Sequence, residues 1–185
     1  PSVLQKSLMD AVILTDRLII REFVPEDIDA LYEIYDDPKI IRYIEPLAKE
    51  KAVEKEKLES YIRYIYGFYG FGLWAVCKKD TGQLIGRCGL SMSDIDGSWA
   101  MEIGYMIGIP WQKQGYGQES VRAVLDYAGR MTDVSQVWAR IHPDNEASVR
   151  LAVRSGFKKV KKIAGGTETL LLYVCELPAH FQETL

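Results

Sequence analysis

The stretch from Trp99 to Val121, WAMEIGYMIGIPWQKQGYGQESV, limits what this chain can fold into more than any other. Met101 to Ile107 is too apolar for an edge strand, so it reads as a central strand of a sheet. Gly104 within it and Gly108 just after it predict a bulge or a close backbone approach where that strand splays from a neighbour. Pro110 interrupts the run. In Gln112-Lys113-Gln114-Gly115-Tyr116-Gly117 the two glycines let the backbone curl until several N–H groups point inward. A helix from about Gln118 adds its own unpaired donors and the positive end of its dipole. Such a turn seats an anion, most naturally a pyrophosphate. The same glycines serve equally well as a plain tight connection, and their spacing fits neither Gly-x-Gly-x-x-Gly nor Gly-Lys-Ser/Thr.

With 185 residues, 48% of them hydrophobic, the chain suits one domain with a sizeable core. A net charge of −3, with basic residues scattered among acids, argues against nucleic acid or an anionic membrane as partner. Cys77, Cys88 and Cys175 are odd in number, lack Cys-x-x-Cys spacing and have only His142 and His180 beside them. They read as reduced, packed thiols, with neither a disulfide framework nor a metal site. No apolar run approaches the roughly 18 residues of a membrane span, and the start carries no signal peptide, so the expected location is the cytoplasm. Pro1 in place of Met points to processing or to a longer parent chain.

Val12 to Glu22 alternates as a first strand, with Leu18 and Ile20 on one face and Arg17, Ile19 and Arg21 on the other. Pro25 suits a first helical turn, and Ile28, Leu31, Tyr32 and Tyr35 recur at helical spacing until Asp37-Pro38 stops the helix. Lys39 to Ile44 makes another short turn, closed by Pro46. Lys49 to Tyr66 reads as one amphipathic helix whose charged leading end is a solvated face and whose stripe is Leu58, Tyr61, Ile62 and Ile65. Gly67 to Gly72 is an aromatic link. Leu73 to Lys78 and Leu84 to Met92 pair as a hairpin about Asp80-Thr81-Gly82, and Asp94 to Gly97 turns into the central strand. Beyond the glycine turn come a helix over Gln118 to Met131 with Val121, Val124, Leu125 and Ala128 inward, then a buried strand over Val134 to Ile141. A helix over Asn145 to Arg154, ended by Gly156, and a hairpin of Phe157 to Ile163 with Glu168 to Glu176 complete a mixed α/β chain.

Three blocks, in order, resemble the GNAT N-acetyltransferases and specifically their ribosomal-protein (RimJ/RimL-like) branch. They are Leu14-Thr15-Asp16-Arg17-Leu18-Ile19-Ile20-Arg21; Glu102-Ile103-Gly104-Tyr105 followed by Trp111 and Gly115-Tyr116-Gly117-Gln118-Glu119-Ser120; and Asn145-Glu146-Ala147-Ser148-Val149-Arg150-Leu151 with Ser155-Gly156-Phe157. The middle block is similar to the family's acetyl-CoA motif, Gln/Arg-x-x-Gly-x-Gly/Ala, and the last to the branch's Asn-x-x-Ser-x-Arg helix and closing Gly-Phe. The resemblance implies a single GNAT domain over 1–185, with a mostly antiparallel, splayed central sheet flanked by helices, and acetyl-CoA as cofactor. It assigns Tyr105, Met106 and Ile107 to the pantetheine arm, Gln112, Lys113, Gln114, Gly115, Tyr116, Gly117 and Gln118 to the pyrophosphate, and Asn145 and Ser148 to cofactor and sulfur. Glu102 is then either the acceptor of the amine's proton, through water, or a carboxylate paired to a nearby Arg or Lys. Asn145 either orients the cofactor or caps its helix. The tyrosine that many relatives carry on this helix is replaced by Ala152, leaving Ser148 as the group nearest the thiolate. Tyr32, Tyr35, Tyr69, Phe71 and Trp74 are the candidates for walling the acceptor pocket.

Acyl transfer needs a neutral amine, a stabilised oxyanion and a tolerable leaving group. Thiolate, with a reference pKa of about 8.5, leaves without full protonation. Neither motif pairs a Cys with a His base, so direct attack is expected in place of an acyl-cysteine intermediate. A peptide α-amine, with a reference pKa of about 7.7 to 8.0, needs less help than a lysine near 10.4. The expected acceptor is therefore a protein or peptide N-terminus. A small amine (polyamine, antibiotic or amino acid) and a non-catalytic acyl-CoA-binding or sensing domain are the alternatives. Either a monomer or a homodimer is compatible with the sequence.

Overall fold

The computed structural model describes residues 2–178, in which eight strands form one sheet ordered β1-β2-β3-β4-β5-β6-β8-β7. A short helix, α1 (Val3–Met9), precedes the sheet. Ser2 caps it, its hydroxyl accepting from the Gln5 N–H. The strand expected over Val12 to Glu22 is two strands, β1 (Ala11–Leu14) and β2 (Leu18–Arg21), folded on each other. Thr15 causes the reversal: its N–H donates to the Leu18 carbonyl and its hydroxyl accepts from the Leu18 N–H, the local side-chain bonding that competes with a continuous strand.

All four residues of β2 are buried, including Arg21. Its guanidinium is neutralised by Asp27, donating to the two carboxylate oxygens at 2.8 Å and 2.8 Å, which is the condition for burying such a charge. Asp27 closes a turn of 3-10 helix, Pro25–Asp27, and α2 (Ile28–Tyr35) and α3 (Pro38–Ile41) follow. The helix expected over Lys49 to Tyr66 is α4 (Lys51–Tyr61) running into a π-helical stretch, Ile62–Tyr66, and a one-turn helix, α5 (Gly67–Tyr69). The widened turn brings residues five apart to the same side. Tyr61 Oη accepts from the Leu73 N–H at 2.7 Å and Tyr66 Oη donates to the Leu73 carbonyl at 2.6 Å, so two tyrosines pin the start of the next strand.

That strand is β3 (Leu73–Lys78); β4 (Leu84–Ile95) and β5 (Ser98–Ile107) form a long hairpin beside it. Its turn is only Asp96-Gly97, both at positive φ (55° and 84°), as a two-residue hairpin loop requires, so Asp94 and Ile95 belong to the strand. The β4–β5 register is unbroken from Ile95↔Ser98 to Gly86↔Ile107, so there is no bulge at Gly104. Close backbone approach occurs in β4 instead, where a Cβ on Gly89 would overlap the Gly72 carbonyl oxygen and one on Gly86 the Met106 carbonyl oxygen.

The remaining elements are α6 (Tyr116–Met131), β6 (Gln136–Ile141), α7 (Glu146–Arg154), β7 (Lys158–Gly165) and β8 (Glu168–Glu176). On one face α6 packs Val121, Val124, Leu125 and Ala128 over Leu18, Ile20, Val76 and Ile103. On the other, α2 packs Leu31, Ile34 and Tyr35 over Ile19, Ala75, Cys77 and Met106. β6 is half-buried, not buried throughout: Val137, Ala139 and Ile141 face the core while Arg140 is exposed.

The sheet splays as the sequence predicts. β5 and β6 are its parallel pair, and they meet at one pairing, Glu102↔Trp138. Past that point β5 bonds only to β4 and β6 only to β8, and the two strands diverge. Gly89→Ala should cost about 1–3 kcal/mol in urea unfolding, because backbone must move to admit the methyl group. Gly67→Ala, where a Cβ meets nothing within 4 Å, should instead gain about 0.5–1 kcal/mol from helix propensity.

Candidate active site

The glycine turn lies where β5 gives way to α6. Lys113 adopts φ 60° and Gly115 φ 84°, the latter as N-cap, so α6 begins at Tyr116, slightly before the expected Gln118. A left-handed non-glycine residue is strained and typical of a ligand-shaped turn. Among the described residues the N–H groups of Lys113, Gln114 and Gly115 make no backbone hydrogen bond, and the first N–H groups of α6 are unpaired by geometry. An anionic diphosphate fits this set of donors. The glutamine side chains brace the turn: Gln112 Nε2 donates to the Ile107 carbonyl at 2.8 Å, and Gln114 Nε2 to the Pro110 carbonyl at 3.0 Å. Gln118 Nε2 reaches the Arg154 carbonyl at 3.4 Å and ties α6 to α7.

The β1–β2 reversal packs against this turn. Glu119 Oε1 accepts from Thr15 Oγ1 at 2.6 Å and from the Arg17 N–H at 2.9 Å, while Oε2 accepts from Arg17 Nε at 2.7 Å. Burial alone would push this carboxyl up, but the bonds from Thr15 and Arg17 outweigh it and hold Glu119 below the ordinary glutamate value.

Where the sheet splays, the β6-facing edge of β5 from Ile103 onward has no strand partner. Met106 and Ile107 bury their side chains in the two cores, so only their backbone is left for an extended ligand. Tyr105 points to α7. Its hydroxyl donates to the Ser148 carbonyl at 2.9 Å and accepts from Ser148 Oγ at 3.0 Å. Burial pushes this phenol up to about 12, against a smaller lowering by the Ser148 bond. Asn145 Oδ1 accepts from the Ser148 N–H at 3.2 Å, so its oxygen caps α7, as the sequence allowed. Ala152 is buried and presents no hydroxyl, and the phenol beside Ser148 comes from β5 instead. Strand alternation, which groups Tyr105 with Ile103 and Ile107 on the α6–α7 side, was the signal for it.

Glu102 occupies the branch point, on the opposite face from Tyr105. Both its oxygens accept from Arg140 of β6, at 2.8 Å from Nε and 2.7 Å from Nη2, so it is paired to an arginine. The pair borders a cavity of about 410 Å³ that also involves Tyr43, Ile44, Glu45, His142, Glu168 and Leu170. Tyr43 packs on the segment that follows β6, donating to the Asp144 carbonyl at 3.0 Å with its ring 5.1 Å from that of His142. These segments are distant in the sequence, which carries no local signal for their meeting.

The five aromatics expected around the acceptor lie away from this cavity. Trp74 and Tyr35 are 1% and 5% exposed core residues, because β3 turns Trp74 toward α6 and α2 turns Tyr35 onto the sheet. Tyr32 Oη donates to the Ala48 carbonyl, and Tyr69 and Phe71 pack on each other with ring centroids 5.6 Å apart. None of them borders the cavity. The three cysteines are buried, and burial pushes the Cys77 thiol up to about 11 and that of Cys88 up to about 12, which makes both poor nucleophiles. His180 lies outside the described residues.

Residues 17–158 match the acetyltransferase (GNAT) domain family, and the chain belongs to it. It is an acetyltransferase of the RimJ/RimL-like branch, and the family uses acetyl-CoA. It is similar to YkkB of Bacillus subtilis (strain 168), with 33% identity over 162 residues, 87% of this chain and 93% of that one. It is also similar to the ribosomal protein uS5-alanine N-acetyltransferase of Escherichia coli (strain K12), with 27% identity covering 78% of this chain and 77% of that one. Among solved structures, RimL, a ribosomal-protein α-N-acetyltransferase in complex with coenzyme A, superposes with a TM-score of 0.73 at 16% identity. The match covers 88% of this chain and 96% of that one, and shows a shared fold.

The lowered Glu119 carboxyl sets a pH dependence. A group whose folded value is depressed contributes stability above its ordinary pKa of about 4.3 and loses it as pH falls through the folded value. The stability advantage of the native chain over Glu119→Gln should therefore be constant from about pH 7 to 5.5 and shrink as pH falls below the ordinary glutamate value of about 4.3, read from urea midpoints.

Proposed function

We propose that this protein acetylates the N-terminal α-amine of a protein or peptide by direct attack of the amine on acetyl-CoA. The observation that carries the reading is the opening between β5 and β6. The donor-rich turn and Ser148 lie toward one side of it, and the cavity bordered by Glu102 lies on the other. In this reading CoA supplies the thioester. The turn from Gln112 to Gly117 holds the pyrophosphate, and the unpaired edge of β5 at Tyr105 to Ile107 receives the pantetheine arm as an added strand. An N–H of that edge hydrogen-bonds the thioester oxygen, where negative charge develops.

The amine enters from the cavity. Its nitrogen bonds to the acyl carbon, its proton passes through water to Glu102, and the carbon–sulfur bond breaks to release thiolate, which takes a proton from solvent. Arg140 occupies a lone pair on each Glu102 oxygen, which fixes the carboxylate in place, and any carboxylate is a weak base near neutral pH. A weak base serves an α-amine, partly neutral near pH 7, far better than a lysine. Names of relatives agree: one acts on an alanine of a ribosomal protein, and the RimL fold belongs to an α-N-acetyltransferase. By the same likeness the acceptor is a cytoplasmic protein. Among the described residues no helix is long and apolar enough to cross a membrane.

Glu102→Gln should move the pH profile of kcat/KM to more alkaline values, because the amine must then reach the site already neutral. An unshifted profile at normal rate would reduce Glu102 to one half of an ion pair. The acceptor is decided by mass mapping of a peptide carrying both a free N-terminus and an internal lysine after incubation with acetyl-CoA. Acetyl on the N-terminus is expected. Acetyl on the lysine alone, or on neither while spermidine is consumed, would overturn the assignment.

A further inference from the structure

The opening block Leu14 to Arg21 has no part in the chemistry above, yet one of its residues is seated on the glycine turn. Arg17 Nη1 donates to the Gln114 carbonyl at 2.9 Å, its Nε binds Glu119 at 2.7 Å, and its guanidinium carbon lies 4.4 Å from the centre of the Tyr116 ring. A Cβ built on Gly115 would stand 3.1 Å from Arg17 Nη2, so the guanidinium lies flat against the turn's second left-handed residue.

The Gln114 carbonyl and the Gly115 N–H belong to one planar peptide unit and point in opposite directions. Fixing the carbonyl on Arg17 therefore fixes the Gly115 N–H pointing away from Arg17, free to meet a ligand at the start of α6. A second effect is electrostatic. Glu119, in the first turn of α6, favours the helix dipole but would repel a diphosphate docking at that end. Arg17 cancels its charge, and the Thr15 hydroxyl and the Arg17 N–H fill both acceptor sites of Oε1.

We propose that Arg17, held by Glu119, is a positioning residue that presets the glycine turn for the pyrophosphate of CoA. This rests on the reading of Gln112 to Gly117 as the pyrophosphate seat. Arginine is suited to the task because its planar fork serves the Gln114 carbonyl, the Glu119 carboxylate and the Tyr116 face at once, which a lysine head cannot. The residue touches no reacting atom. Its influence should appear only for ligands that carry the nucleotide.

The test compares two ligands on the full chain: CoA, by calorimetry, and pantetheine, which lacks the diphosphate and nucleotide, by NMR titration. Arg17→Ala should raise the Kd for CoA about tenfold or more and that for pantetheine less than about twofold. Arg17→Lys should recover only part of the loss, and Glu119→Gln, which frees Arg17 from its tether, should weaken CoA in the same selective way. A merely structural hairpin would shift both dissociation constants together with the urea midpoint. That parallel shift, or an unchanged CoA affinity in Arg17→Ala and Glu119→Gln, would overturn the proposal. Gly115→Val separates the two layers. If it weakens CoA while Arg17→Ala does not, the seat stands and the role of Arg17 falls. If it leaves CoA affinity unchanged, the seat itself is misplaced and the proposal falls with it.

Discussion

One backbone pairing, Glu102↔Trp138, is the constraint on which the rest of the structure depends. A parallel pair that stops after one pairing leaves two strands to diverge, each held to the sheet by its other neighbour. Backbone N–H and C=O groups along the exposed edges are then unspent, and groups of that kind are rarely left without a partner. The opening is an obligation as much as a space, because an extended ligand carrying amides can restore what the sheet lacks. α6 has to span from the end of β5 to the start of β6, and α7 starts just beyond the end of β6. The strand tips, the glycine turn and the first turn of α7 consequently gather at the wide end of the opening.

Two arginine–carboxylate pairs stand at different points of this arrangement. Arg140–Glu102 straddles the vertex and joins the two strands that part, while Arg17–Glu119 joins the first hairpin to the first turn of α6. Pairs this accessible add little to stability on their own. Their value is geometric: each arginine uses a planar fork to fix a carboxylate in one orientation. The buried Arg21–Asp27 pair differs, since removing either partner would leave a charge inside the protein.

What was legible in the sequence is what local pattern encodes. The apolar run through Met101 to Ile107, the left-handed glycine at Gly115 and the apolar face Val121, Val124, Leu125 and Ala128 all follow from period and backbone sterics. None of the five aromatics borders the cavity, and the sequence could not have said so, because a ring in an amphipathic stripe reads the same whether it faces a core or a pocket. Trp74 and Tyr35 face cores. The π-helical stretch was invisible, because its reason is tertiary: Tyr61 and Tyr66 must both reach Leu73. The cavity brings Tyr43, Glu102, Arg140 with His142, and Glu168 together from four segments, and no spacing rule relates those segments.

The polar groups at the opening are committed to each other, and this bears on how the proposed chemistry is divided between protein and substrates. The Ser148 hydroxyl donates to Tyr105, whose phenol, pushed up to about 12, is too weak an acid to protonate a thiolate of reference pKa about 8.5. On the other face both Glu102 oxygens accept from Arg140, and a carboxylate is in any case a weak base near neutral pH. Among the described residues, these groups supply neither a strong acid nor a strong base where the amine and the sulfur would lie. Under the proposed reading the activation is therefore supplied mainly by the partners themselves, a thioester with a good leaving group and an amine of low pKa. The protein contributes the part that geometry can supply: two reactants held in line through a gap in a sheet, with an unpaired edge to receive the developing oxyanion.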